Sequence, residues 1–252
     1  MVRHCSAMII KDEAIALRTY PYGNTSQIIV WLSQTHGKIA TLAKGSQRTR
    51  SGLLGQYDLF YTCEVLFYAR EQRNLHILKK CCPLVPRVAL RHDWRACAVA
   101  SYAASAVDQL APFGPAMSGL YDLLARTLDS LAGRTPGPAF LPRFELLLLH
   151  ELGLAPDWRA CAKCRQDLRE RGGRWDVAHG ALRCVECAED SGLEVSAAAL
   201  RAIETMQGEA LPAALPERVF REIQSLAGSL LEHQADCSTV ARTLAFQVLA
   251  AG

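Results

Sequence analysis

Four cysteines carry the most specific chemical pattern in this chain of 252 residues. Two residues separate Cys161 from Cys164 and Cys184 from Cys187, and 19 residues lie between the pairs. A tight turn over a two-residue spacer aims two thiolates at one ion, so two such pairs complete the tetrahedral shell that zinc prefers. Four thiolates leave no open position at which water could be activated. The implied zinc, one per chain, is therefore structural. A dithiol oxidoreductase would need one such pair at a helix N-terminus and has no use for the second. Between the pairs, Arg174 to Val177 and Ala181 to Arg183 predict a hairpin that returns the second pair to the first, with His179 in its turn rather than in the shell. Cys5, Cys63, Cys97 and Cys237 read as buried thiols, and the adjacent Cys81 and Cys82 as pointing to opposite faces of a strand.

The second chemical signal is electrostatic. The net charge of +3 divides into +6 on residues 1–82 and −3 on the rest. Its densest part runs from Lys44 to Gly52, where Lys44, Arg48 and Arg50 alternate with hydroxyl, amide and glycine residues. Cations on a pliable backbone suit phosphate contacts, to which Arg18, Lys38, Arg70, Arg73, Lys79 and Lys80 add candidates. Eight of the chain's 18 aromatic residues also fall in this segment, so some could stack on bases. There is no P-loop, no G-x-G-x-x-G after a strand, no H-E-x-x-H and no G-x-S-x-G. Action on nucleic acid would then run on binding energy alone, without ATP and without catalysis.

These residues need elements to hold them. Short β-branched and aromatic runs near 14–19, 27–32, 38–44, 57–68 and 74–80, separated by glycine turns, predict five strands. Ile28, Val30 and Leu32 share one face of the second, and Cys63, Val65 and Phe67 one face of the fourth. Five short strands in about 80 residues suit an OB-fold barrel. After Pro83 the period becomes helical: segments from Trp94 to Leu110, around Leu120 to Leu131, and from Leu141 to Leu152 precede the cysteines. Ser196 and Pro216 open further helices, and Val240, Leu244 and Val248 mark a last one. The expected class is α+β multidomain: an OB-fold nucleic-acid-binding domain over 1–82, a helical domain over 83–156 and 194–252, and a four-cysteine module over 157–193. No run reaches the roughly 18 apolar residues of a membrane span, and the start lacks a signal-peptide pattern; a cytoplasmic protein with reduced thiols is expected.

Taken in order, Ala16-Leu17-Arg18-Thr19, Tyr22-Gly23, His36-Gly37-Lys38-Ile39, Ala43-Lys44-Gly45 and Arg50-Ser51 resemble the N-terminal domain of the bacterial RecO recombination mediators. The likeness continues through Arg143-Phe144-Glu145-Leu146-Leu147, Leu152-Gly153 and the cysteine pairs. It implies a non-enzymatic DNA repair protein that binds single- and double-stranded DNA, anneals complementary strands, and works with RecR to load RecA onto DNA coated by single-strand binding protein. It also implies recognition of that binding protein's acidic C-terminal tail by the helical domain, for which Arg143 is the expected carboxylate contact. Asn24 and Gln27 depart from the family pattern, and the end, Asp236 to Gly252, is less basic than is common. The alternative is a zinc-containing adaptor whose barrel binds RNA or a protein without annealing.

Overall fold

The computed structural model describes residues 8–69, 74–133, 136–188, 192–208, 215–235 and 239–250. Two compact units divide the chain, residues 1–135 and 136–252.

In the first unit, β1 (Ile9–Tyr22), β2 (Ser26–Ser33), β3 (Gly37–Ala43), β4 (Thr62–Tyr68) and β5 (Leu75–Val85) close into a barrel in the order β1-β2-β3-β5-β4. Every neighbouring pair is antiparallel except β3 and β5, which run parallel. This is the expected five-stranded OB arrangement, in which closure removes exposed edges. Trp31 fills the interior with its indole N–H donated to Thr41 Oγ1 at 2.8 Å. Ile29, Ile39, Val65, Phe67 and Leu78 pack around it. Ile28, Val30 and Leu32, which share one face of β2, are also buried, but the interior takes the alternate positions Ile29 and Trp31. β2 is covered on both faces, and an uninterrupted apolar run cannot say which of its faces is the inner one.

A bulge in β5 adjusts the alternation. Leu66 lies opposite Lys80 and Phe67 opposite Leu78, which leaves Lys79 as the extra residue. Leu78 and Cys81 thus both enter the interior, while Lys79, Lys80 and Cys82 are exposed. Beyond a short 3-10 turn, α1 (Trp94–Leu110) begins at Asp93, whose carboxylate accepts from the backbone N–H groups of Arg95 and Ala96 at 2.9 and 3.1 Å. Its alanines, Ala96, Ala100, Ala103 and Ala104, are buried and let α2 (Ser118–Gly133) and β1 approach closely.

In the second unit, α3 (Phe140–Glu151) ends at Gly153, whose φ of 69° permits the left-handed turn that sends the Leu154 N–H back to the Leu149 carbonyl at 2.8 Å. Leu146, Leu148 and Leu149 are buried on it, and so is the whole of Glu145. That carboxylate is met by Arg242 of α6 (Thr239–Ala250) in a two-pronged pair at 2.7 and 2.8 Å. Arg242 also donates to the Gln224 carbonyl of α5 (Glu217–Ala235) at 2.8 Å, so one guanidinium ties three helices together. α4 (Ala197–Gln207) is capped by Ser196 as expected, Oγ accepting from the Ala199 N–H at 3.1 Å.

A three-stranded ribbon precedes α4, with β6 (Gly173–Asp176) between β7 (Ala181–Arg183) and β8 (Leu193–Val195). The sequence predicts only the hairpin; β8, three residues long, becomes a strand through its pairing with β6. Trp175 anchors the ribbon, fully buried, with its indole N–H on Ser229 Oγ of α5 at 3.2 Å.

Candidate nucleic-acid interface and metal centre

The basic loop follows β3 and is held onto the barrel. The Gly45 N–H donates to Ser26 Oγ at 3.0 Å, the Gln47 N–H to the Thr25 carbonyl at 2.9 Å, and the Gln47 side-chain amide to Gln27 Oε1 at 2.6 Å. Further on, Leu53 inserts into the barrel interior. Between these anchors Lys44, Arg48 and Arg50 are exposed, and among the described residues none of the three forms an ion pair. The β3–β5 pairing ends with Leu42 beside Ile77, just before the loop on one strand and Lys79 and Lys80 on the other. Lys79, which lies 5.5 Å from the Tyr68 ring centroid, and Lys80 are both exposed.

Other expected contacts are spent within the first unit. Arg18 is exposed but sits 3.2 Å from the Asp108 carboxylate and 5.5 Å from the Tyr20 ring centroid. Lys38 is buried: its ammonium donates to the Asp108 backbone carbonyl in the last turn of α1 and lies 4.6 Å from the Phe113 ring centroid. A helix C-terminus attracts a cation, and an aromatic face covers its remaining side. Arg70 and Arg73 lie outside the described residues.

The neighbours of Lys38 explain the His36-Gly37-Lys38 motif as a clasp. Gly37 has φ 64°, and a Cβ there would stand 2.1 Å from the Pro115 carbonyl oxygen, so only glycine fits against the segment linking α1 to α2. His36 Nδ1 is 2.8 Å from the buried carboxylate of Asp12, which also accepts from the hydroxyls of Ser33 and Thr35 and the Glu13 N–H. Burial opposes ionisation of Asp12, and the hydrogen bonds from Ser33, His36, Thr35 and Glu13 outweigh it, holding the carboxyl below its usual range. Asp12 and Asp108 carry no sequence signal for this role; their partners are set by strand pairing and helix packing.

In the second unit the four cysteines converge. The sulfurs of Cys161, Cys164, Cys184 and Cys187 lie within 4.8 Å of one another, and those of Cys164 and Cys184 are 3.7 Å apart. A disulfide would require about 2.05 Å. Four sulfurs at about 2.3 Å from a central ion in a tetrahedron are about 3.8 Å apart, so the set fits one metal ion. Burial alone would raise the Cys161 thiol, but backbone N–H groups of Cys164, Cys184 and Lys163 bring it down to about 6. Cys184 is pushed up by burial and by the adjacent Glu186, Cys187 and Cys164 side chains. Thiolates so crowded repel one another unless a cation lies among them. His179 stays outside the cluster in the β6–β7 turn, with Nδ1 2.8 Å from the Asp176 carboxylate. Arg143, on α3, donates to the carbonyls of Met206 and Gly208 at the end of α4 at 3.0 and 2.7 Å.

Comparison with known proteins decides what barrel, helices and cysteine cluster amount to. Residues 8–86 match the family described as Recombination protein O N terminal, and residues 91–238 match Recombination protein O C terminal. The chain belongs to the RecO family. It is 30% identical over 238 residues to DNA repair protein RecO of Anaeromyxobacter dehalogenans (strain 2CP-1 / ATCC BAA-258), covering 92% of this chain and 94% of that one. A RecO protein of Roseiflexus sp. (strain RS-1) is 30% identical over 231 residues, 89% of this chain and 81% of its own. RecO proteins serve DNA repair and recombination as mediators rather than as enzymes, and the family implies interaction with DNA. Among the described residues no helix is long and apolar enough to cross a membrane.

Proposed function

We propose that this RecO-family chain binds single- and double-stranded DNA through its barrel, anneals complementary strands without ATP, and acts with RecR to load RecA onto DNA coated by single-strand binding protein. The observation that carries this reading is the anchored loop whose cations Lys44, Arg48 and Arg50 face solvent, without an ion pair among the described residues, on a barrel whose Lys79 and Lys80 are also exposed. Two strands neutralised on one surface repel each other less, so pairing between them nucleates more readily. Arg18 is an auxiliary contact in this reading. Lys38 is assigned to holding α1 against the barrel.

The functional division follows the charge: residues 1–82 hold DNA, the helical segments 83–156 and 194–252 serve partner docking, and the module over 157–193 is a structural element. Its four thiolates would hold zinc, which supplies a cross-link between the two cysteine turns. Recognition of the acidic tail of single-strand binding protein belongs to the helical segments. Arg143, held at the end of α4 by its bonds to the Met206 and Gly208 carbonyls and still part-exposed, is the carboxylate contact in this reading. A cytoplasmic location accords with the reduced thiols.

The test is annealing of complementary oligonucleotides by the purified full chain without nucleotide. Acceleration over the spontaneous rate, abolished when Lys44, Arg48 and Arg50 are all changed to Ala, supports the reading. DNA binding without acceleration would favour the adaptor alternative.

A further inference from the structure

Two aromatic side chains beside the basic loop have no part in the core. Tyr20 and Tyr22, at the end of β1, are 39% and 52% exposed, whereas Trp31 and Phe67 of the same barrel are buried. Alternation along β1 puts Arg18, Tyr20 and Tyr22 on one face, and the Arg18 guanidinium lies 5.5 Å from the Tyr20 ring centroid. The register locates this face relative to the loop. Tyr22 pairs with Ser26 and Tyr20 with Ile28; across β2, Ile28 pairs with Leu42 and Gln27 with Ala43. Lys44 directly follows β3, and the next residue, Gly45, donates its N–H to Ser26 Oγ, the partner of Tyr22. The hydrogen bonds from Gly45 to Ser26 and from Gln47 to Thr25 hold the loop and the β1–β2 turn together as one edge.

We infer that Tyr20 and Tyr22 are a stacking platform for the bases of single-stranded DNA whose phosphates are held by Lys44, Arg48 and Arg50; this rests on the DNA-binding reading above. The two residues are about 7 Å apart along the strand, so each ring has room for its own base. Stacking requires a base face open to solvent, which a single strand offers and a duplex does not. The loop cations serve both kinds of DNA. The tyrosines therefore set the preference for single strands, and they do so without contributing to the salt dependence.

The full chain carrying Tyr20→Ala and Tyr22→Ala is titrated against oligothymidine and against a duplex of equal length at one salt concentration, with Tyr20→Phe and Tyr22→Phe as a second variant. Both rings are exposed, so the fold tolerates the changes. The expected result is a loss of about ten-fold or more in single-strand affinity. Duplex affinity stays within about two-fold of the parent, and the phenylalanine variant recovers single-strand binding. Single-strand affinity within about two-fold of the parent, or an equal loss for both DNAs, overturns the platform. If that happens while the loop variant still loses binding, the DNA-binding reading stands without it. A parent protein that binds neither DNA removes both.

Discussion

Replacing Lys44, Arg48 and Arg50 together by Ala should reduce the salt dependence of DNA binding by an amount that follows from counting charges. The three are exposed and form no ion pair within the described residues, so each can exchange condensed counterions for a phosphate. Each neutralised phosphate contributes about −0.7 to the slope of log K against log salt for single strands and about −0.9 for duplex. Without these three cations the slope should flatten by about 2.1 and about 2.7 units respectively. Between 50 and 200 mM salt the parent protein should thus lose about 18-fold more single-strand affinity than the variant, and about 40-fold more duplex affinity. Fluorescence anisotropy of labelled oligonucleotides at four or five salt concentrations measures this directly. Lys38→Ala is the internal control: its ammonium is buried against Asp108, so it should lower the melting temperature and leave the slope unchanged. A slope change below about 1 unit for the triple variant, or a comparable change for Lys38→Ala, would refute the assignment of the loop.

Three further outcomes follow from the two units. Arg242→Met removes the two-pronged pair to the fully buried Glu145 carboxylate and should cost about 3–5 kcal/mol in urea unfolding, most of it recovered by adding Glu145→Leu. Chain purified without chelator should carry about one zinc per molecule by elemental analysis, and Cys161→Ser or prolonged chelation should both release it and lower the stability of the second unit. Asp12 has a lowered pKa in the folded state, so its stabilising hydrogen bonds are fully present above the unfolded value of about 3.9 and are lost as pH falls through the lower folded value. Asp12→Asn should therefore be less stable than the parent by about 1.5–3 kcal/mol at pH 7, a gap that closes in acid melts below about pH 4.

The four-cysteine cluster was legible because its information is local. Two C-x₂-C turns and a hairpin between them state ligand number and ligand type within 27 residues, and the fold had only to close the ribbon. The barrel class and the six helices among the described residues were legible for a related reason: turn glycines, caps such as Ser196 and the change of hydrophobic period are short-range signals. Basic residues were legible as a set and not as individuals. Lys38 and Lys44 are six residues apart on or just beyond one strand, yet one is buried against α1 and the other faces solvent. Nothing within those six residues distinguishes them; the difference is made by Asp108 and Phe113, some 70 residues away.

The same holds for the inner face of β2, the bulge at Lys79, the Glu145–Arg242 clamp and the exposure of Tyr20 and Tyr22. Each depends on which distant element covers a residue, and sequence periodicity gives only which residues share a face. The residue types and their spacing determined what chemistry is available to this chain: a four-thiol cluster able to hold a metal, a cationic loop, and no catalytic constellation. Tertiary structure decided which cations and which aromatic rings are left facing solvent, because burial and pairing are properties of contacts between segments far apart in the chain.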